Sequence, residues 1–142
     1  KKGDQWDHYL DSVKWGIDYF IKCHSKKDEY YAQVSSGQID QRILVSTRIY
    51  DLQISAYKVS PSSPGSEVTK ETVAALATAS MLFKSEDSSY SAKLLSHAIE
   101  ELYDFADKYR CDYTKGIPAS GFYSSYSGDN DELDWRAMWL YI

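Results

Sequence analysis

The sequence predicts an all-α fold built from stacked helical hairpins, and two observations lead to it. Almost every residue from Val73 to Phe83 is small or apolar, so the helix formed there should be surrounded by protein. The segments 5–23 and 90–109 each carry one apolar face with polar residues opposite it, as outer helices do. No internal repeat of constant period is present, which argues against a solenoid.

The first outer helix is predicted from about Gln5 to Cys23. Its apolar residues recur at steps of four and three: Trp6, Leu10, Val13, Ile17, Phe20 and Ile21. Trp15 and Tyr19 lie off this stripe, so we expect the helix to contact neighbours on two sides. A polar connection follows, and the residues from Tyr30 to Val34 predict a short extended segment.

The inner helix follows a short extended run that begins at Ala56 and a turn at Pro64 and Gly65. Ser66 is predicted to cap the helix through its hydroxyl group. Glu67 and Glu71 place negative charge near the helix N-terminus, where the helix dipole favours it.

The second outer helix is predicted from Tyr90 to Tyr109. Its His97 falls among the polar residues, so we expect it to be solvated. Neither His97 nor His8 nor His24 has another His or Cys at ligand spacing, and we expect no metal role for them. A further helix is predicted from Asn130, and its pattern still continues at Ile142. We therefore expect residues 1–142 to be an internal segment of a larger domain.

Composition excludes several classes of protein. A length of 142 residues suits one domain with a core, and no apolar run is long enough to cross a membrane. The net charge of -5, with no basic stripe, argues against nucleic-acid binding. Thirteen Tyr and four Trp fit either sugar-binding platforms or core packing. Cys23 and Cys111 allow one disulfide bond or two free buried thiols, and the second alternative is favoured.

Several segments resemble the glycoside hydrolase family 9 endoglucanases in the same order and spacing. They are AYKV, PGSEV, ET, AALATAS and LFK between Ala56 and Lys84, followed by Tyr90–Arg110 and Gly121–Tyr141. The resemblance covers nearly the whole chain. It implies part of an (α/α)6 toroid of inner and outer helices, a secreted enzyme, and a β-1,4-glucan oligosaccharide or polysaccharide as the binding partner. It leaves the oligomeric state open.

The same resemblance implies that this chain lacks the catalytic carboxylates. Inverting glycosidases need one carboxyl group to protonate the leaving oxygen and another to activate water. In the family, the base lies in an Asp-Ala-Gly-Asp or Asp-Cys-Gly-Asp motif and the acid in an Asn-Glu motif. Neither motif occurs here, so no catalytic residue is predicted, and the chain alone should be inactive. The alternative is a non-catalytic module that binds glucan or another protein.

Two substrate-binding residues are carried over from the resemblance. The family's Trp-Ser-Gly-Tyr-x-Asp-Glu-Leu stretch corresponds to residues 126–133, which places Tyr126 where a ring stacks on a glucosyl unit. Asp131 takes the place of a carboxylate that supports the cleft and ligates calcium in some members. Calcium needs several oxygen ligands, and only Asp131 matches, so we expect no cofactor. A capping loop, with its acids serving the helix dipole, is the alternative for this stretch.

The departure from the family is sharpest at residues 40–50. The family has Asp-His-x-x-Trp-x-Arg-Pro-Glu-Asp-Met there, whereas this chain has DQRILVSTRIY of unchanged length. The codons ATA CTG GTG TCG ACC CGA ATA TAT GAC CTA encode residues 43–52. Read from the second base, they give Tyr-Trp-Cys-Arg-Pro-Glu-Tyr-Met-Thr, which restores most of the motif. A compensated frameshift and true divergence of residues 41–54 are the two hypotheses.

Overall fold

The computed structural model describes residues 5–42, 54–113, 117, 134–135, 138–139 and 141. Residues 5–113 of this part contain five α-helices, one π-helix and three strands, and residues 134–135, 138–139 and 141 are helical as well, within the helix predicted from Asn130. In chain order they are α1 (Trp6–Cys23), β1 (His24–Lys26), β2 (Glu29–Val34), α2 (Gly37–Arg42), β3 (Ala56–Val59), α3 (Ser66–Phe83), α4 (Ser88–Ser96), π1 (His97–Tyr103) and α5 (Asp104–Lys108). None of these helices is long and apolar enough to cross a membrane.

The fold is mainly helical, as predicted, but a small sheet means that it is not strictly all-α. β1, β2 and β3 form an antiparallel sheet in that order, and Tyr30 of β2 pairs with Val59 of β3. The extended segments were expected at residues 30–34 and from Ala56, but their pairing was not. Strands of three to six residues are too short to define a fold class by periodicity, and the pairing of β2 with β3 joins distant parts of the chain.

Helix α3 lies at the centre of the core, as its apolar circumference predicted. It contacts α1, α4, π1 and α5, and Val73 and Leu76 are completely buried. Leu94 and Leu102 of the outer layer are also completely buried against it, together with Phe105. The burial of apolar side chains on both faces of α3 gives the hydrophobic driving force for this packing.

The N-terminus of α3 differs from the prediction, because Ser66 does not cap it. The N-cap residue is Gly65, and no side chain caps the helix there. Ser66 instead exchanges hydrogen bonds with the segment that follows α5. Its backbone N–H donates to the carbonyl oxygen of Cys111 at 2.9 Å, and its Oγ lies 3.3 Å from the same oxygen. The start of the inner helix is therefore attached to the end of the outer helix.

The first helix confirms its predicted bounds to within one residue, and it is joined to α4 by polar contacts. The hydroxyl of Tyr90 donates to Oδ1 of Asp18 at 2.9 Å, and Nζ of Lys14 lies 4.4 Å from the centre of the Tyr90 ring. We expected α1 to contact neighbours on two sides, through Trp15 among others. The prediction is wrong for Trp15, because its side chain is 79% exposed in the described part of the structure.

The second outer helix was expected to be α-helical throughout, but its middle is the π-helix π1. A π-helix bonds each N–H to the carbonyl five residues earlier and usually occurs as one wide turn. Ala98 and Leu102 still face the core, while Ile99 and Glu100 face solvent. The apolar spacing is compatible with either helix type, so the sequence pattern could not distinguish them.

Candidate functional site

An aromatic cavity opens where the C-terminal half of α1, strand β2 and the N-terminal half of α3 meet. Its volume is about 530 Å³. Five rings contribute to its lining, those of Tyr19, Phe20, Tyr30, Tyr31 and Tyr113. A cavity of this size with aromatic walls and a few polar groups has the usual properties of a small-molecule site.

Tyr30 forms the buried part of this cavity, with only 2% of its surface exposed. Its hydroxyl oxygen lies 3.0 Å from Oγ1 of Thr72 in α3. Burial raises the pKa of Tyr30 well above its usual value, and it also raises the pKa of the neighbouring Cys23 thiol. Both groups therefore stay neutral at physiological pH, and each forms hydrogen bonds as a neutral group. Cys23 and Cys111 are both free thiols.

Two other tyrosine rings of the cavity are accessible to solvent. Tyr19 is 50% exposed and Tyr31 is 37% exposed. Gln33 and the exposed Glu71 line the same cavity and add polar groups beside these rings. Flat rings with nearby hydrogen-bonding groups are suited to a sugar, which has apolar C–H faces and hydroxyl edges. Tyr19 was expected only as a contact residue of the first helix, and the high tyrosine content was the only indication of a sugar-binding surface.

Glu67 lies at the wall of the cavity and is 6% exposed. Its Oε2 accepts a hydrogen bond from the backbone N–H of Tyr113 at 2.9 Å, and its Oε1 has no partner among the described residues. Burial raises the pKa of its carboxyl group. Glu71 follows one helical turn later and so lies on the same side of the cavity. The two groups are therefore not placed like the opposed acid and base of a glycosidase.

A second group of titratable side chains lies away from this cavity, where α1 meets β1. His24 Nδ1 is 3.2 Å from His97 Nε2, and both histidines lie close to Oε2 of Glu101. The expectation that His97 is solvated is wrong, because its side chain is only 12% exposed. Burial lowers the pKa of His97, which favours the neutral imidazole.

The site residues expected from the resemblance lie outside the described part of the chain. This applies to Tyr126 and Asp131, and with Asp131 to the question of calcium. It applies equally to residues 43–53, which are the centre of the segment that departs from the family. These expectations stay predictions.

The comparison with known proteins decides the family. The sequence model of Glycosyl hydrolase family 9 matches residues 1–142. The chain belongs to glycosyl hydrolase family 9. The resemblance noted in the helical segments is thus confirmed over the full length of the chain.

Curated family 9 relatives agree with this assignment. The chain is 44% identical to Endoglucanase A of Bacillus pumilus over 137 residues, which are 96% of this chain and 21% of that protein. It is 48% identical to Endoglucanase 5 of Arabidopsis thaliana over 139 residues, which are 97% of this chain and 22% of that protein. The chain therefore spans about a fifth of the length of these relatives.

Solved structures of similar proteins share the fold of this chain. An endoglucanase from the termite Nasutitermes takasagoensis superposes with a TM-score of 0.87 at 43% identity, over 95% of this chain and 31% of that one. The cellulase Cel9M of C. cellulolyticum, solved in complex with cellobiose, superposes with a TM-score of 0.79 at 34% identity. That match covers 93% of this chain and 30% of Cel9M.

Proposed function

We propose that this chain is a segment of a secreted endoglucanase, and that it forms part of an (α/α)6 toroid. The reaction of the whole domain would be inverting hydrolysis of internal β-1,4-glucosidic bonds. The observation that carries this proposal is the match to proteins named endoglucanases at 44% and 48% identity over at least 96% of the chain. The fold supports it, because an apolar inner helix is packed between outer helices.

Within that domain, the segment would bind the glucan rather than cleave it. The cellobiose complex of Cel9M supports a β-glucan as the ligand class. Tyr126 is the proposed stacking platform, and Asp131 is the proposed polar support beside it. The exposed rings of Tyr19 and Tyr31 offer a second aromatic surface, since both line the described cavity.

The first experiment measures activity. Hydrolysis needs a positioned acid and a positioned base, and neither family motif is present in this sequence. The 142-residue polypeptide produced alone should therefore release no reducing sugar from soluble cellulose. Turnover that survives repurification and disappears in the Asp131→Ala variant would contradict the proposal.

The second experiment measures binding of cellotriose by isothermal titration calorimetry. Tyr126→Ala should weaken binding about fivefold or more, because stacking on an aromatic ring contributes on the order of 1 kcal/mol or more. Tyr141→Ala is the matched control, since Tyr141 is 93% exposed and outside the proposed platform. Circular dichroism should be unchanged in both variants. Equal loss of binding and helical signal in Tyr126→Ala would show that the ring belongs to the core.

A non-catalytic module that binds glucan or another protein is the second candidate. The observation that favours it is the departure of residues 40–50 from the family motif at unchanged length. The intact mass of the purified natural protein distinguishes the two candidates. A mass well above 16.2 kDa supports the enzyme, and a mass near 16.2 kDa supports the module.

A further inference from the structure

Three side chains from distant parts of the chain meet at the junction of α1 and β1. His24 is the first residue of β1, and His97 and Glu101 belong to π1. Oε2 of Glu101 lies 3.3 Å from Nδ1 of His24 and 3.2 Å from Nδ1 of His97. We propose that these three residues form a zinc-binding site, which shares no residue with the lining of the aromatic cavity and is independent of the proposed function.

The spacing of the ligand atoms fits a zinc ion. Zinc bonds to histidine nitrogen and carboxylate oxygen are about 2.0–2.2 Å long, so neighbouring ligands of a tetrahedral ion are roughly 3.4 Å apart. Each of the three side chains offers one ligand atom such that all three atoms lie within 4.8 Å of one another. The distances of 3.2 and 3.3 Å from Oε2 of Glu101 to the two Nδ1 atoms are already close to that spacing.

Hydrogen bonding alone does not satisfy the buried histidine. The side chain of His24 is 4% exposed, and its Nε2 has no hydrogen-bond partner among the described residues. One tautomer leaves an unpaired N–H there and the other leaves an unpaired lone pair. A buried polar atom of this kind is costly. A zinc bond at Nδ1 places the proton on Nε2, so it leaves that N–H unpaired and stabilises the ring only through the metal bond itself.

The surroundings favour a cation with one open coordination position. Two histidines and one carboxylate form a ligand set that commonly leaves the fourth position of zinc to water. His24 and Glu101 also line a cavity of about 480 Å³, which has room for that water. The cavity lining contains four carboxylates, those of Asp28, Glu100, Glu101 and Asp104, against two lysines.

The local backbone supports the assignment. π-helices are rare, and single π turns occur frequently at functional sites. His97 and Glu101 are four residues apart in π1, so their side chains are neighbours on one face. A zinc ion held by them and by His24 would connect the outer helix to the end of α1.

The experiment uses the purified protein after treatment with a chelator and dialysis. Zinc binding is measured by isothermal titration calorimetry, and cobalt(II) absorption reports the coordination geometry. We expect one zinc per chain, a tetrahedral cobalt spectrum, and a melting temperature that zinc raises by several degrees. Glu101→Gln and His97→Gln should each weaken zinc binding at least about tenfold and abolish the shift in melting temperature.

Glu100→Gln is the matched control, because Glu100 is exposed on the same helix and lines the same cavity. It should bind zinc like the unmodified protein. Glu101 is 52% exposed, so Glu101→Gln should leave the circular dichroism spectrum unchanged. This variant therefore still tests the proposal if His97→Gln unfolds. Absence of zinc binding, or equal binding by the unmodified protein and Glu101→Gln, would overturn the proposal and leave a hydrogen-bonded triad only.

Discussion

Replacement of Gly65 by alanine should disturb the contact between the start of α3 and the segment after α5. The Cβ atom of an alanine at this position would lie 2.5 Å from Cβ of Tyr113 and 2.6 Å from Cγ1 of Val59. It would also lie 2.8 Å from Cα of Tyr113, so part of the obstacle is backbone. Val59 is completely buried in β3 and has no free space to move into. The backbone at Tyr113 must therefore move away.

The expected loss follows from the bonds that such a movement breaks. The N–H of Ser66 donates to the carbonyl of Cys111 at 2.9 Å, and the N–H of Tyr113 donates to Glu67 at 2.9 Å. A neutral hydrogen bond contributes about 1 kcal/mol, and one to a charged group somewhat more. Overpacking alone typically costs about 1–3 kcal/mol. Gly65→Ala should lower the free energy of unfolding by about 2–4 kcal/mol.

Urea unfolding followed by circular dichroism measures this change, provided that the transition is two-state. Gly16→Ala is the matched control. Gly16 lies in the interior of α1, and a Cβ atom there would meet nothing within 4 Å. Gly16→Ala should raise the free energy of unfolding by about 0.5–1 kcal/mol, because alanine has a higher helix propensity than glycine. Equal stability of Gly65→Ala and the unmodified protein would refute the close-packing argument.

Three further predictions concern stability and sequence. Tyr30→Phe should lower the free energy of unfolding by about 1 kcal/mol, because it removes the hydrogen bond with Thr72. The control Tyr31→Phe should change the free energy of unfolding little. Equal effects of the two substitutions would count against the hydrogen bond between Tyr30 and Thr72. Burial raises the pKa of Glu67 in the folded protein above its value in the unfolded chain. The free energy of unfolding should therefore fall as the pH rises from the unfolded pKa through the folded pKa, because the buried carboxyl group loses its proton in this range. The free energy of unfolding of Glu67→Gln relative to the unmodified protein should therefore increase as the pH rises through this range. A difference between the two proteins that is independent of pH would contradict this. Peptide mass spectrometry of residues 43–54 should return the Tyr-Trp-Cys-Arg-Pro reading if the frameshift hypothesis holds, whereas peptides as printed would exclude it and favour divergence.

The sequence allowed the long helices to be predicted because their packing creates a periodic signal. Helix α1 was placed within one residue of its start, and the central position of α3 followed from its apolar circumference. The three-stranded sheet was missed as a feature of the fold class, because β2 and β3 pair across a long separation in sequence. π1 was missed because the spacing of Ala98 and Leu102 also fits an α-helix.

The candidate sites were hard to predict for the same reason as the sheet, because their residues are far apart in the sequence and meet only in the fold. His24 and His97 are 73 residues apart, so a search for ligands at short spacing could not connect them. Tyr19 and Tyr31 share a cavity only because α1 and β2 meet in the fold. Tyr126 and Asp131 were inferred from family motifs, and they await a direct test.

The pairing of β2 with β3 has a consequence for how this protein can change. The chain leaves the sheet at Ser35, which has a positive φ of 67°, and returns at Ser55, whose carbonyl accepts the N–H of Ser35 at 2.8 Å. Val34 pairs with Ala56 directly behind this contact. The two strands thus fix both ends of the intervening segment, and the entropy of closing such a loop depends only weakly on its length. A change in the number of residues between Ser35 and Ser55 should therefore cost the sheet little stability, because the hydrogen bond between them stays in place.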